Sequence, residues 1–125
     1  MISTVLAIGC NCGDRKKNVS DAIRWISAVA EIVSKSTIYS SPDIKGTGHE
    51  YLNAVVKADF EGTPEEFNRF IKSYEISVGR DSSCRERGLV PIDIDIVMID
   101  GEVTRPKDFR AEYFVKGYAE CMLQK

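Results

Sequence analysis

One short stretch restricts this chain more than any other: Ile92-Asp93-Ile94-Asp95-Ile96. Side chains alternate across a β-strand, so the pattern sends three isoleucines to one face and two carboxylates to the other. The isoleucine face needs a core to cover it. The carboxylate face is different, because two acids a few ångströms apart repel unless a cation sits between them. A sheet packed on one side and available on the other is therefore expected. Two hard oxygen donors with open positions suit Mg²⁺, which keeps several waters and takes phosphate oxygens. A D-x-D also occurs as two unrelated surface acids, and the spacing alone does not separate the two readings.

The rest of the chain supplies partners for that strand. Ile2 to Gly9 is almost continuously apolar and reads as a buried strand ended by a glycine. Val19, Ala22, Ile23, Ile26, Val29, Ala30 and Val33 recur at helical spacing and predict a helix from about Lys16 to Ala30. Ile32 to Tyr39 is β-branched and alternating, a second strand, and Ser40 to Glu50 is a long loop. Tyr51 to Phe60 alternates again, with Leu52, Ala54, Val56, Ala58 and Phe60 on one face and Tyr51, Asn53, Val55, Lys57 and Asp59 on the other. Thr63-Pro64-Glu65-Glu66 is a helix start with an N-cap, a first-turn proline and a capping-box glutamate. Phe67, Phe70, Ile71, Tyr74 and Val78 form that helix's apolar stripe, and Gly79 ends it. Arg80 to Pro91 is a polar loop, and Asp100-Gly101 marks a tight turn into Glu102-Val103. From about Asp108 to Met122 the helical periodicity is weak. The order β-α-β-β-α-β predicts one α+β domain over residues 1–125. It is expected to be a ferredoxin-like sandwich, with an antiparallel sheet, both helices on one face and the other face free for a ligand.

Composition narrows the function. The chain has 125 residues, 43 % apolar and 29 % charged, which suits a single globular domain. A net charge of −2 gives no support to nucleic-acid or acidic-membrane binding. The opening residues lack the basic lead of a signal peptide, and no apolar run approaches the roughly 20 residues of a membrane span, so a cytoplasmic protein is expected. Four cysteines without a CxxC pair, and His49 alone in a loop, argue against zinc and for reduced thiols. Gly9 to Gly13 is not a P-loop, and no serine or cysteine has a base beside it in sequence. What remains is positioning chemistry. Asn53 can donate and accept toward a heterocycle, and Tyr51 on the same face can stack on a flat ring. Arg80, Arg85 and Arg87 in the loop before the aspartates suit phosphate through the guanidinium fork. Ordinary strand packing and a solubilising loop are the alternatives for these residues.

Four motifs together resemble the 6-hydroxymethyl-7,8-dihydropterin pyrophosphokinase family. Gly9-Cys10-Asn11 is similar to its G-S-N, and Tyr51-Leu52-Asn53-Ala54-Val55 to its [YF]-L-N-A-V strand. Glu75 through Gly79-Arg80 is similar to its E-x-x-x-G-R, and Pro91 to Ile96 to its T-[LI]-D-[LI]-D-[IL]. The resemblance runs from about Ile2 to Ile99. It implies transfer of pyrophosphate from ATP to the pterin hydroxymethyl group, leaving AMP, with small-molecule partners only. Asp93 and Asp95 would hold two Mg²⁺ and, with Arg80, form the catalytic set. Ser41, Pro42, Ile44, Tyr51, Asn53 and Phe114 would bind the pterin, with Tyr51 and Phe114 sandwiching its ring. Glu75, Arg80, Arg85, Arg87 and Ile96 would form the nucleotide side.

The resemblance has gaps. Family tryptophan and arginine positions before the D-x-D hold Arg87 and Val90 here, Lys107 follows Pro106 where the family has histidine, and Glu112 takes an arginine position. Arg85, Arg87, Lys107 and Arg110 are the candidate replacements. A pterin- or nucleotide-binding protein without turnover, or a ferredoxin-like interaction domain, are the alternative functions, and the sequence leaves the oligomeric state open.

Overall fold

A computed structural model of the chain describes residues 1–41, 50–79, 84 and 86–123. In chain order these form β1 (Ile2–Cys10), α1 (Arg15–Val29), β2 (Glu31–Lys35), β3 (Tyr39–Ser41), β4 (Tyr51–Phe60), α2 (Pro64–Val78), β5 (Asp93–Ile99), β6 (Glu102–Val103), α3 (Pro106–Arg110) and α4 (Glu112–Leu123). The sheet runs β2-β4-β1-β5-β6, with β3 also paired to β4. Every pairing is antiparallel. The expected α+β sandwich is present, with β1 at its centre. Among the described residues no helix is long and apolar enough to cross a membrane.

Local chemistry sets the element ends. Asp14 caps α1 by accepting the Lys17 N–H at 3.2 Å. Thr63 and Glu66 close the capping box of α2, at 3.1 and 3.2 Å. Gly79 ends α2 in the left-handed region, φ 109°, where a side chain is strained. Asp100 and Gly101 both have positive φ, 50° and 83°, which is the geometry of a two-residue hairpin between β5 and β6.

The even-numbered residues of β1 and β4, with Ile94 and Ile96 of β5, face the two long helices, as the alternation predicts; a bulge opposite Val5 and Leu6 turns Met98 to the other face. Leu6, Ile8, Ala54, Val56 and Ile94 pack against Val19 and Ile26 of α1 and Phe67 and Ile71 of α2. Phe60 stacks on Phe67 with ring centroids 4.3 Å apart. Burying a side chain such as Phe67 contributes about 1.5–3 kcal/mol.

Two features differ from expectation. The single strand from Ile32 to Tyr39 is two strands. At the break, the Ser36 hydroxyl accepts the Val55 N–H at 2.8 Å while the Ser36 N–H donates to the Val55 carbonyl at 2.8 Å. A side-chain oxygen has taken a ladder position, and the register already slips between Ile32 and Ser34. The second difference is larger. The face opposite α1 and α2 is only partly free, because α4 lies on it. Phe114 and Cys121 pack there on Val5, Ala7, Val55 and Val97.

Gly117 allows this approach. A methyl group there would stand 2.5 Å from Val55 Cγ2 and 2.6 Å from the Tyr39 hydroxyl. That hydroxyl accepts the Gly117 N–H at 3.1 Å and donates to the Tyr113 carbonyl. Burial raises the Tyr39 pKa to about 12, so it stays a neutral donor. Glu120 adds a second tether by accepting the Thr37 N–H and hydroxyl at 2.9 and 2.8 Å. Gly117→Ala should therefore cost about 1–3 kcal/mol of stability, the usual range for overpacking. Urea unfolding measures it, and an unchanged midpoint would mean that α4 is not seated this closely.

Candidate active site

The strand register builds the site in rows. Gly9 pairs with Asn53 on one side and with Asp93 on the other. Ala7 in the same way lies between Val55 and Asp95. All these residues belong to the sheet face turned away from α1 and α2. Gly9 contributes no side chain and Ala7 only a methyl, so the floor between the two walls stays low. A methyl on Gly9 would meet Asn53 Oδ1 at 3.5 Å and the Tyr51 ring at 3.6 Å, filling that floor. The result is a cleft of about 470 Å³. Ser41, Tyr51 and Asn53 line one wall, and Asp93 and Asp95 the other. Arg105, Asp108, Ala111, Glu112 and Tyr113 come from the segment around α3 and α4. The volume suits a small molecule rather than a polymer.

The first wall is polar and fixed. Asn53 is 4 % exposed, and its Nδ2 donates to Ser41 Oγ at 2.7 Å. β3 carries Ser41 opposite Tyr51, so the pairing of β3 with β4 sets this wall.

The second wall is acidic. Burial, followed by the charge of Asp93, pushes the Asp95 carboxyl up to about 7, and the Arg105 guanidinium opposes this. Arg105 Nη2 stands 4.0 Å from Asp95 Oδ1. Arg105 Nε donates to Asp108 Oδ2, and the Tyr113 hydroxyl donates to Asp108 Oδ1. Two crowded carboxylates of this kind fit a hard divalent cation, which would relieve their repulsion. Among the described residues no group of three or more His, Cys, Asp or Glu is arranged to hold a metal. Water and phosphate oxygens would have to complete the coordination, as Mg²⁺ prefers.

The start of the acidic strand is held twice from outside the cleft. Glu75 Oε2 accepts the Ile94 N–H at 2.8 Å, fixing the backbone between the two aspartates from the helix side. Asn11 is buried and grips the chain before β5. Its N–H donates to the Val90 carbonyl at 2.9 Å and its Nδ2 to the Gly88 carbonyl at 2.8 Å.

Thus Ser41, Tyr51, Asn53, Asp93 and Asp95 meet in one cleft. Four of the other expected residues do not reach it. Glu75 lies behind the sheet, 3 % exposed, because its position on α2 turns it toward β5. Ile96 faces the helices by strand alternation and packs against their core. Arg87 is exposed and does not line the cleft. Phe114 is fully buried, since Phe114, Gly117 and Cys121 form the inward stripe of α4, and its neighbour Tyr113 takes the cleft side. Pro42, Ile44, His49, Arg80 and Arg85 lie outside the described residues. Lys107 and Arg110 are not cleft residues either. Sequence reasoning missed Arg105, Asp108 and Tyr113. Only the Phe114-Gly117-Cys121 spacing could have shown which way α4 turns.

The raised Asp95 pKa has a stability consequence. The folded form holds the proton more tightly than an unfolded aspartic acid, so the contribution is fully present at about pH 4 and is lost as pH rises through 7. In EDTA, the urea midpoint attributable to this pair should fall between pH 5 and 8. Asp95→Asn should flatten that slope; a slope unchanged in the variant would mean that burial and Asp93 do not raise the Asp95 carboxyl.

Comparison with known proteins supplies the family. The family model described as 7,8-dihydro-6-hydroxymethylpterin-pyrophosphokinase matches residues 5–122. The 2-amino-4-hydroxy-6-hydroxymethyldihydropteridine pyrophosphokinase of Aquifex aeolicus is 37 % identical over 111 residues, covering 86 % of this chain and 67 % of that protein. The protein of the same name from Methylorubrum extorquens is 32 % identical over 106 residues, covering 81 % and 65 %. The folic acid synthesis protein FOL1 of Dictyostelium discoideum is 31 % identical over 104 residues, 82 % of this chain but 16 % of that protein. This chain therefore spans about two thirds of the first two relatives and a small part of the third. With the family model matching nearly its whole length, the chain belongs to the 7,8-dihydro-6-hydroxymethylpterin-pyrophosphokinase family.

Proposed function

We propose that this chain transfers the pyrophosphoryl group of ATP to the hydroxymethyl group of 6-hydroxymethyl-7,8-dihydropterin. The observation that carries the reading is the row Asn53-Gly9-Asp93, which sets an amide suited to a heterocycle and an acid suited to a metal on either side of a low floor. In the reaction, the hydroxymethyl oxygen attacks the β-phosphorus of ATP. The bond from the β-phosphorus to the bridging α,β oxygen breaks, its electrons leave on AMP, and the hydroxyl proton passes to solvent. No covalent enzyme intermediate is needed, in keeping with a cleft that presents no activated nucleophile among its described residues.

Each residue has a role that follows from its place. Asn53, oriented by Ser41, hydrogen-bonds the pterin edge, and Tyr51 stacks on its ring. Asp93 and Asp95 would hold Mg²⁺, two ions by family resemblance, whose charge would offset that of the triphosphate. Gly9 and Ala7 leave the space in which acceptor and phosphate meet. Arg80, Pro42 and Ile44 are assigned to the phosphates and the pterin by family resemblance alone, and Arg85 to the phosphates by its place in the arginine-bearing loop.

A second reading has its own support. Four carboxylates and one guanidinium line the cleft among its described residues, and Glu112 stands in a family arginine position. A pterin-binding protein without turnover would tolerate that charge. Incubation with ATP, Mg²⁺ and the reduced pterin, followed by AMP measurement, separates the two. The enzyme reading expects pterin-dependent AMP that Asp95→Ala abolishes and a pterin KM raised about tenfold or more by Asn53→Ala. A pterin-induced rise in Tm with no AMP would instead establish binding without catalysis.

A further inference from the structure

The acids of the cleft face an anionic substrate, and one base is available among the described lining residues. Asp93, Asp95, Asp108 and Glu112 oppose Arg105 alone. Arg105 is held in an uneven way. Its Nε is anchored on Asp108, which the Tyr113 hydroxyl fixes in turn, whereas its Nη2 only approaches Asp95 at 4.0 Å. Its side chain is 51 % exposed, so the far end of the fork has room to turn. The sequence gives no hint of this role, because Arg105 belongs to none of the four family motifs.

We propose that Arg105 is a phosphate-binding residue of this chain that rests on Asp95 until a divalent cation arrives. The inference rests on the reading that the cleft takes a metal-bound nucleotide. A guanidinium and a divalent cation compete for the same carboxylate, because each is attracted to it and the two repel. When the cation occupies Asp95, the Nη2 end loses its partner, while the Nε end keeps Asp108. The freed end then faces the phosphates that arrive with the metal, and a guanidinium fork suits them. Asp108 is thereby a positioning residue: it keeps the Arg105 guanidinium at the cleft in both states.

Opposite signs make this testable. Arg105→Gln removes the competitor, so Mg²⁺ alone should bind more tightly, read by calorimetry on the whole chain. The same variant should bind Mg²⁺ with the non-cleavable α,β-methylene analogue of ATP about tenfold or more weakly, the usual effect of losing a charge-assisted hydrogen bond. Pterin affinity should stay within about twofold, which also reports that the cleft is folded. Asp108→Asn should weaken analogue binding in the same direction. If Arg105→Gln binds the analogue as tightly as the parent, the proposal is wrong and Arg105 is only a counter-ion of the acids. If analogue and pterin affinities fall together, Arg105 supports the wall and does not read phosphate. If the parent itself binds neither Mg²⁺ nor the analogue, the enzyme reading above fails, and this one with it.

Discussion

The pairing of β1 on both edges is the constraint from which the rest follows. Its register with β4 runs from Ile2 opposite Phe60 to Cys10 opposite Leu52, and with β5 from Thr4 opposite Ile99 to Gly9 opposite Asp93. A slip of one residue in either ladder would turn every side chain of that strand to the other face. Asn53 or Asp93 would then enter the apolar core, where an unpaired amide or carboxylate costs several kcal/mol. The isoleucines of β5 and the alternating residues of β4 therefore fix the register, and the register in turn fixes the distance across the cleft. Function depends on core packing that never touches a ligand.

Much of this was readable in the residues. Period-two alternation in Tyr51–Phe60 and Ile92–Ile96 placed Asn53, Tyr51, Asp93 and Asp95 on one face, and the capping box of α2 stands where Thr63 and Glu66 put it. Local signals of this kind depend on neighbours in sequence. The break at Ser36 was not readable, because it depends on a hydroxyl finding the backbone of Val55. Nor was the course of α4, whose stripe is short and includes a glycine that only the proximity of Tyr39 and Val55 explains. Glu75 shows the limit from the other direction. A motif links it to the nucleotide, yet its carboxylate serves the backbone behind the acids.

The electrostatics set the order of events in the cleft. Without a cation the acidic wall repels phosphate, and burial makes that repulsion stronger than it would be in water. On the proposed function, a metal would therefore have to accompany or precede the nucleotide. On the proposed function the wall of Ser41, Tyr51 and Asn53 carries no such requirement, because it offers an amide, a hydroxyl and an aromatic ring. The two halves of the cleft thus respond to different conditions, although they share a floor only one residue wide.

The position of α4 also bears on synthesis. One wall of the cleft is made by β3 and β4 and another by the segment around α3 and α4, far later in the chain. On a ribosome, the sheet and its two long helices can assemble while α4 is still unmade. During that interval Val5, Ala7, Val55 and Val97 lack the cover of α4, and the apolar half of the second face lies open beside the polar half. A nascent chain at that stage has its acids and its asparagine in register but no closed cleft. On the proposed function, ligand capture waits for α4 to emerge, and so does cover for that apolar surface.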